Sequence, residues 1–154
     1  MKIRRWLLAL AGLLVLIQIF RIDKSTPAID PAQDFIAIAA PPPELQQVLK
    51  AACYDCHSFE TRYPWYAEVA PVSWWLKHHV DEGREHLNFS TFGSLSDRDQ
   101  LHALEESVEM VEEGEMPLGS YTWTHADARL SDAQKAQLVA WMKGFGAVGV
   151  NWHE

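Results

Sequence analysis

Two cysteines set two residues apart, with a histidine directly after the second, constrain this 154-residue chain more than any other feature: Cys53-Tyr54-Asp55-Cys56-His57. On a helix, positions three apart share a face. Both sulfurs can then reach the two vinyl groups of one porphyrin, and the next residue can turn an imidazole nitrogen to the iron. The spacing reads as covalent attachment of one haem c, held by Cys53 and Cys56 with His57 as the proximal ligand. The competing readings need more than the chain offers. A thioredoxin-like dithiol wants a strand before its helix. A zinc site wants two further ligands at finger-like spacing, which His78, His79 and His86 do not provide. A Cys53–Cys56 disulfide leaves His57 without a role. Two cysteines are also too few for a disulfide scaffold or a four-thiolate cluster.

The compartment follows from the other end of the chain. Residues 1–25 carry five cations against Asp23 alone, whereas the remainder carries eight basic and twenty acidic residues, so the two parts have net charges of +4 and −12. Trp6–Phe20 is an apolar run interrupted only by Gln18. A basic start and an apolar run form an export signal. Fifteen helical residues reach about 22 Å, short of a hydrocarbon core of about 30 Å, which favours a cleavable signal. Cleavage, however, wants small residues just beyond the run, and Arg21-Ile22-Asp23-Lys24 has none. Residues 1–25 are therefore expected to stay on as a membrane anchor through residues 6–20, with a cleaved, soluble periplasmic form as the alternative. Lys2, Arg4 and Arg5 would remain cytoplasmic, leaving the acidic body on the periplasmic side of the inner membrane. That acidity argues against nucleic-acid binding and suits a redox partner protein with a basic surface. Pro27, Pro31 and Pro41–Pro43 make residues 26–43 an extended linker, leaving 44–154 as the haem-binding domain.

That domain reads as all-α. Leu45, Val48, Leu49, Ala52, Cys53 and Cys56 form one stripe with a helical period. A second helix is expected from about Pro64 to His79, split or kinked at Pro71, and a third over Asp97–Glu113, capped by Ser96 with Asp99 and stopped by Gly114. A fourth is expected over Asp132–Lys143, capped by Ser131 with Gln134. No alternating strand pattern appears.

The second axial position of the iron is assigned to Met116, which lies between the Gly114 stop and the stiff Pro117. A thioether opposite histidine favours electron transfer. Met110 and Met142 fall inside helices and read as core. Among the remaining histidines, His125 and then His79 are the reserves, whereas His78, His86, His102 and His153 read as surface or packing residues. Trp65, Trp74, Trp75, Trp123 and Trp141 suit either a haem pocket or an ordinary aromatic core. Arg84 suits either a haem propionate or solvent. Six glutamates between Glu105 and Glu115 read as a solvated face, or as a surface steering a basic partner.

Taken together, Cys53–Trp65 (CYDCHSFETRYPW), His79–Ser90 (HVDEGREHLNFS) and Gly114-Glu115-Met116-Pro117 resemble the haem-binding domain family of exported c-type cytochromes. The likeness continues through Tyr121, His125, Leu130-Ser131 and Trp141. Family members often carry Met-Pro-Pro and His-Pro where this chain has Met116-Pro117-Leu118 and His125-Ala126. The resemblance implies a small cytochrome c-like helical domain around one haem. The expected function is single-electron transfer; the alternative is a peroxidase-like enzyme or a gas or redox sensor with a labile sixth ligand.

Overall fold

The computed structural model describes residues 2–149, and His153 lies outside them. Among the described residues the regular structure is entirely helical. Helix α1 (Lys2–Leu16) leads into a short 3-10 turn, Ile17–Ile19. It buries none of its side chains, and Trp6, Leu7 and Leu8 are among those exposed. No helix among the described residues is long and apolar enough to cross a membrane.

The expected linker is where the structure departs most from the sequence reading. Residues 20–30 carry no helix, but Pro31–Gln33 form a 3-10 turn and Phe35–Ala39 form helix α2. Asp34 caps α2, its carboxylate accepting the Ile36 N–H at 2.9 Å. Phe35 is fully buried and packs against Phe89, Phe92, Trp141 and Phe145 at centroid distances of 4.8–6.0 Å. Prolines withdraw backbone donors, but burial of one aromatic ring outweighs that local preference. The folded body therefore starts near residue 31 instead of 44.

Helix α3 (Pro43–Ala52) begins on a proline, where the missing N–H costs nothing. It buries Leu45, Val48 and Leu49, and at Cys53 the chain turns into the single-turn helix α4 (Tyr54–His57). The expected second helix is split: Trp65–Glu68 is a 3-10 turn, and α5 (Val72–His86) starts after Pro71 and runs seven residues past the expected end. Gly83 lies inside it without stopping it, because α5 packs against α4 there. A Cβ on Gly83 would sit 3.1 Å from the Cys56 carbonyl oxygen, so any larger residue here would have to push the motif helix aside by a few tenths of an ångström.

Helix α6 (Asp97–Glu113) has the expected bounds. Ser96 accepts the Asp99 N–H and donates to its carboxylate at 2.7 Å, and Gly114 ends the helix at φ +79°. After the one-turn helix α7 (Gly119–Thr122) comes α8 (Asp132–Gly149), opened by a reciprocal Ser131–Gln134 capping box. Helix α8 packs along α6. Lys143 meets Glu112, and Gly146 meets Leu101, so the two run in opposite directions. Leu104, Val108, Val111, Leu138 and Met142 fill the seam and join Phe35, Leu45, Leu49 and Phe89 in one core. A smaller cluster of Ala67, Leu76 and Val80 lies under Tyr63 and Tyr66.

Candidate functional site

The motif helix α4 is fastened by the two residues between its cysteines. Tyr54 is buried and donates its hydroxyl to Asp34 at 3.0 Å, tying α4 to the cap of α2. Its ring stacks on Phe89 at 5.1 Å, 8° from parallel. Burial beside the Asp34 carboxylate pushes the Tyr54 phenol well above its ordinary pKa, so it remains a donor. Asp55 is also buried. Its carboxylate accepts the Arg62 backbone N–H at 2.9 Å, the Arg62 guanidinium at 3.2 Å and the Tyr121 hydroxyl at 2.7 Å. A buried carboxylate is tolerable only when its acceptor sites are filled in this way. Through Asp55 the motif is joined both to the turn after it and to α7, which follows Met116 in the chain.

The motif residues then fall into place. His57 Nδ1 lies 3.1 Å from the Leu87 carbonyl oxygen. A carbonyl only accepts, so Nδ1 must carry the hydrogen, and the Nε2 lone pair is left for a metal. Burial pulls the imidazole pKa below its ordinary value, against the opposing pull of the Leu87 and Gly83 backbone, which keeps the ring neutral. Cys53 and Cys56 are free and half-buried. Burial pushes the Cys53 thiol up to about 12, with the neighbouring Cys56 adding to it, and pushes Cys56 up to about 11, with Asp55 adding. A redox-active dithiol depends on a lowered thiol pKa; these thiols are shifted the other way.

Beside Cys56 lies a cavity of about 270 Å³, walled by Tyr66, Trp75, Leu76, His79, Leu118 and Tyr121 among others. Its walls are mostly apolar and aromatic, the lining a flat porphyrin face requires. Met116 is not among its lining residues. Like Cys53, it is half-buried against the main core, and the Met116 N–H is donated to the Met110 carbonyl at 3.0 Å. His79 is the histidine that lines the cavity, its ring edge-on to Trp75 at 4.4 Å. His125 stacks on Tyr121 at 4.0 Å, and its Nδ1 faces the Tyr121 carbonyl and the Thr124 hydroxyl at 3.1 Å. His78 and His102 sit beside Glu82 and Glu106 on exposed helix faces. Met110 is half-buried, whereas Met142 is in the core.

Two candidate groups lie elsewhere than the sequence reading put them. Arg84 is half-buried and donates two of its five N–H groups, to the Ser58 carbonyl at 2.8 Å and the Thr61 hydroxyl at 2.9 Å, bracing the turn after the motif. Of the five tryptophans, Trp75 lines the cavity and Trp141 joins the Phe35 cluster, but Trp65 and Trp123 are about four-fifths exposed, at 79% and 83%. The six glutamates from Glu105 to Glu115 are all exposed. Sequence reading missed Asp55 and Arg62 as fastenings of the motif, and Tyr121 as the residue that joins the loop beyond Met116 to it. The buried acid inside the motif, with an arginine seven positions on, was the available signal.

The residues present fit a haem. Two neutral thiols sit one helical turn apart, an imidazole presents a free lone pair, and an apolar cavity adjoins the second sulfur. No curated protein and no solved structure matches the chain. A family model described as a haem-binding domain matches residues 12–144, reaching upstream of the motif through α2. The chain belongs to the haem-binding domain family.

Proposed function

We propose that this haem-binding protein is a monohaem c-type cytochrome with a cytochrome c-like fold, carrying single electrons on the periplasmic side of the inner membrane. Cys53 and Cys56 would hold the porphyrin by thioether bonds, His57 would be the proximal ligand and Met116 the distal one. The observation that supports this best is the His57–Leu87 hydrogen bond, which fixes the imidazole in the tautomer a metal needs. When bound, haem supplies one-electron chemistry at iron. The chain's own contribution is to orient His57 through Leu87, to fix the motif through Asp34 and Asp55, and to exclude water with the apolar cavity walls. The apolar stretch 6–20 would serve as export signal and membrane anchor, and the exposed acidic face of α6 would meet a redox partner with a basic surface.

A second reading has a specific observation behind it. The cavity beside Cys56 is lined by His79 and not by Met116. That arrangement favours either His79 as the distal ligand or a labile sixth position, as in a peroxidase-like enzyme or a gas or redox sensor. Carbon monoxide binding to the reduced protein separates these readings. If Met116 closes the site, the wild type resists carbon monoxide, Met116→Ala admits it, and His79→Ala behaves as the wild type. If His79 closes it, the two variants exchange roles. Ready binding by the wild type would overturn the electron-carrier assignment.

A further inference from the structure

The exposed large apolar side chains of the folded body are unevenly placed. Trp65, Val69, Val72, Trp74 and Trp75 come from one stretch, the 3-10 turn before α5 and the first turn of α5, and are 39–79% exposed. Among the described residues beyond Phe20, the other large apolar side chains in this class are Ile29 and Trp123. Exposed apolar side chains gathered in one stretch are the mark of a docking surface.

What docks there is indicated by the segment fastened to it. The Gln18 side-chain amide spans the backbone of Ala70, accepting its N–H and donating to its carbonyl, both at 2.9 Å. The Trp74 indole N–H donates to the Phe20 carbonyl at 2.9 Å. Arg21 and Lys24 pair with Glu68, and Ile22 packs on the Ala67–Leu76–Val80 cluster. Residues 18–24 are thus strapped along the same stretch that carries the patch. Helix α1, apolar from Trp6 onward and with no buried side chain, leaves the body at that strap. A bilayer that takes up α1 is thereby brought against Trp65–Trp75. The chemistry of the patch suits it: tryptophan is the residue of membrane–water interfaces, and the Gln18 amide and Trp74 indole already have protein partners, so neither enters a low-dielectric boundary unsatisfied.

We propose that Trp65, Val69 and Trp74, the exposed apolar side chains of this stretch that lie outside the cavity lining, form a lipid-docking surface that seats the haem-binding body on the bilayer. This rests on the reading of residues 6–20 as a membrane anchor. Val72 and Trp75, exposed in the same stretch, line the cavity beside Cys56 and belong to the haem site, so the docking surface adjoins that cavity.

The test uses the full-length, haem-loaded chain in vesicles of phosphatidylethanolamine and phosphatidylglycerol that carry a photoactivatable acyl chain, with the labelled residues mapped by peptide mass spectrometry. The expected result is labelling of both α1 and residues 65–75, with α6 at background. The double variant Trp65→Ser/Val69→Asp, whose side chains neither line the cavity nor hydrogen-bond to residues 18–24, should lower labelling of 65–75 at least about fivefold. Its α1 labelling and visible spectrum should match the wild type. Labelling of α1 without 65–75 in the wild type overturns lipid docking while leaving the anchor in place, as a face covered by protein would. Labelling of neither overturns the anchor and the docking together. Undiminished labelling in the double variant shows non-specific contact and overturns the docking.

Discussion

The two sides of this small domain are held together by different physics. The α6–α8 side is an antiparallel helix pair sealed by Leu104, Val108, Val111, Leu138 and Met142, with charged residues outside and a serine cap at the start of each helix. The motif side has shorter helices, the four-residue α4 and α7, and a buried acid, Asp55, held by the Tyr121 phenol and the exposed Arg62 guanidinium. Aliphatic packing tolerates volume-conserving change and is indifferent to direction, whereas buried hydrogen bonds have fixed geometry and are costly when left half-made. The motif side has the arrangement that a rigid ligand set needs. It is also the side whose integrity depends on particular atoms.

The largest effect is expected where both sides meet. Phe35→Ala empties the centre of the aromatic cluster and should lower stability by about 4 kcal/mol in urea unfolding. A change under 1 kcal/mol would return residues 31–39 to the status of a tether. Next, Leu138→Ala, on the α6–α8 side, should cost about 3 kcal/mol. Its amide exchange should rise mainly in α6 and α8. Asp55→Asn keeps the shape but loses the charge and one acceptor, for about 2 kcal/mol; there the faster exchange should appear at residues 54–62 and 118–125. Uniform acceleration in both variants would mean that the two sides open as one unit.

The pH response adds a smaller effect confined to the motif side. Burial lowers the His57 pKa, so the unfolded chain takes up the proton first as pH falls. His57 therefore contributes its full stability above the unfolded-state value of about 6.5, and that contribution is lost as pH drops below it. In haem-free protein, His57→Phe should flatten the dependence of the unfolding midpoint between pH 7 and pH 5. An unchanged slope would mean that other groups carry it.

How far the sequence discloses this structure depends on how local each signal is. The bounds of α6 and the caps at Ser96, Gly114 and Ser131 were legible because a cap acts within one helical turn. The motif was legible because its chemistry lies within five residues. The body's start near residue 31 was not, because the prolines speak locally while Phe35 answers to Phe89, Phe92 and Trp141, all distant in sequence. The length of α5 was hidden for a similar reason: the helix runs on past His79 to lay Gly83 against the backbone of Cys56, a contact distant in sequence. The partners of Asp55 and the cavity position of His79 belong to tertiary placement, which periodicity does not report.

The central claim is that a porphyrin is joined to Cys53 and Cys56 by bonds that survive unfolding. The most direct measurement is the intact mass, under denaturing conditions, of the full chain expressed in a host with export and haem-attachment machinery. The account predicts the polypeptide plus one haem, and the bare polypeptide for Cys53→Ala/Cys56→Ala. A wild-type chain recovered at its bare mass would contradict it.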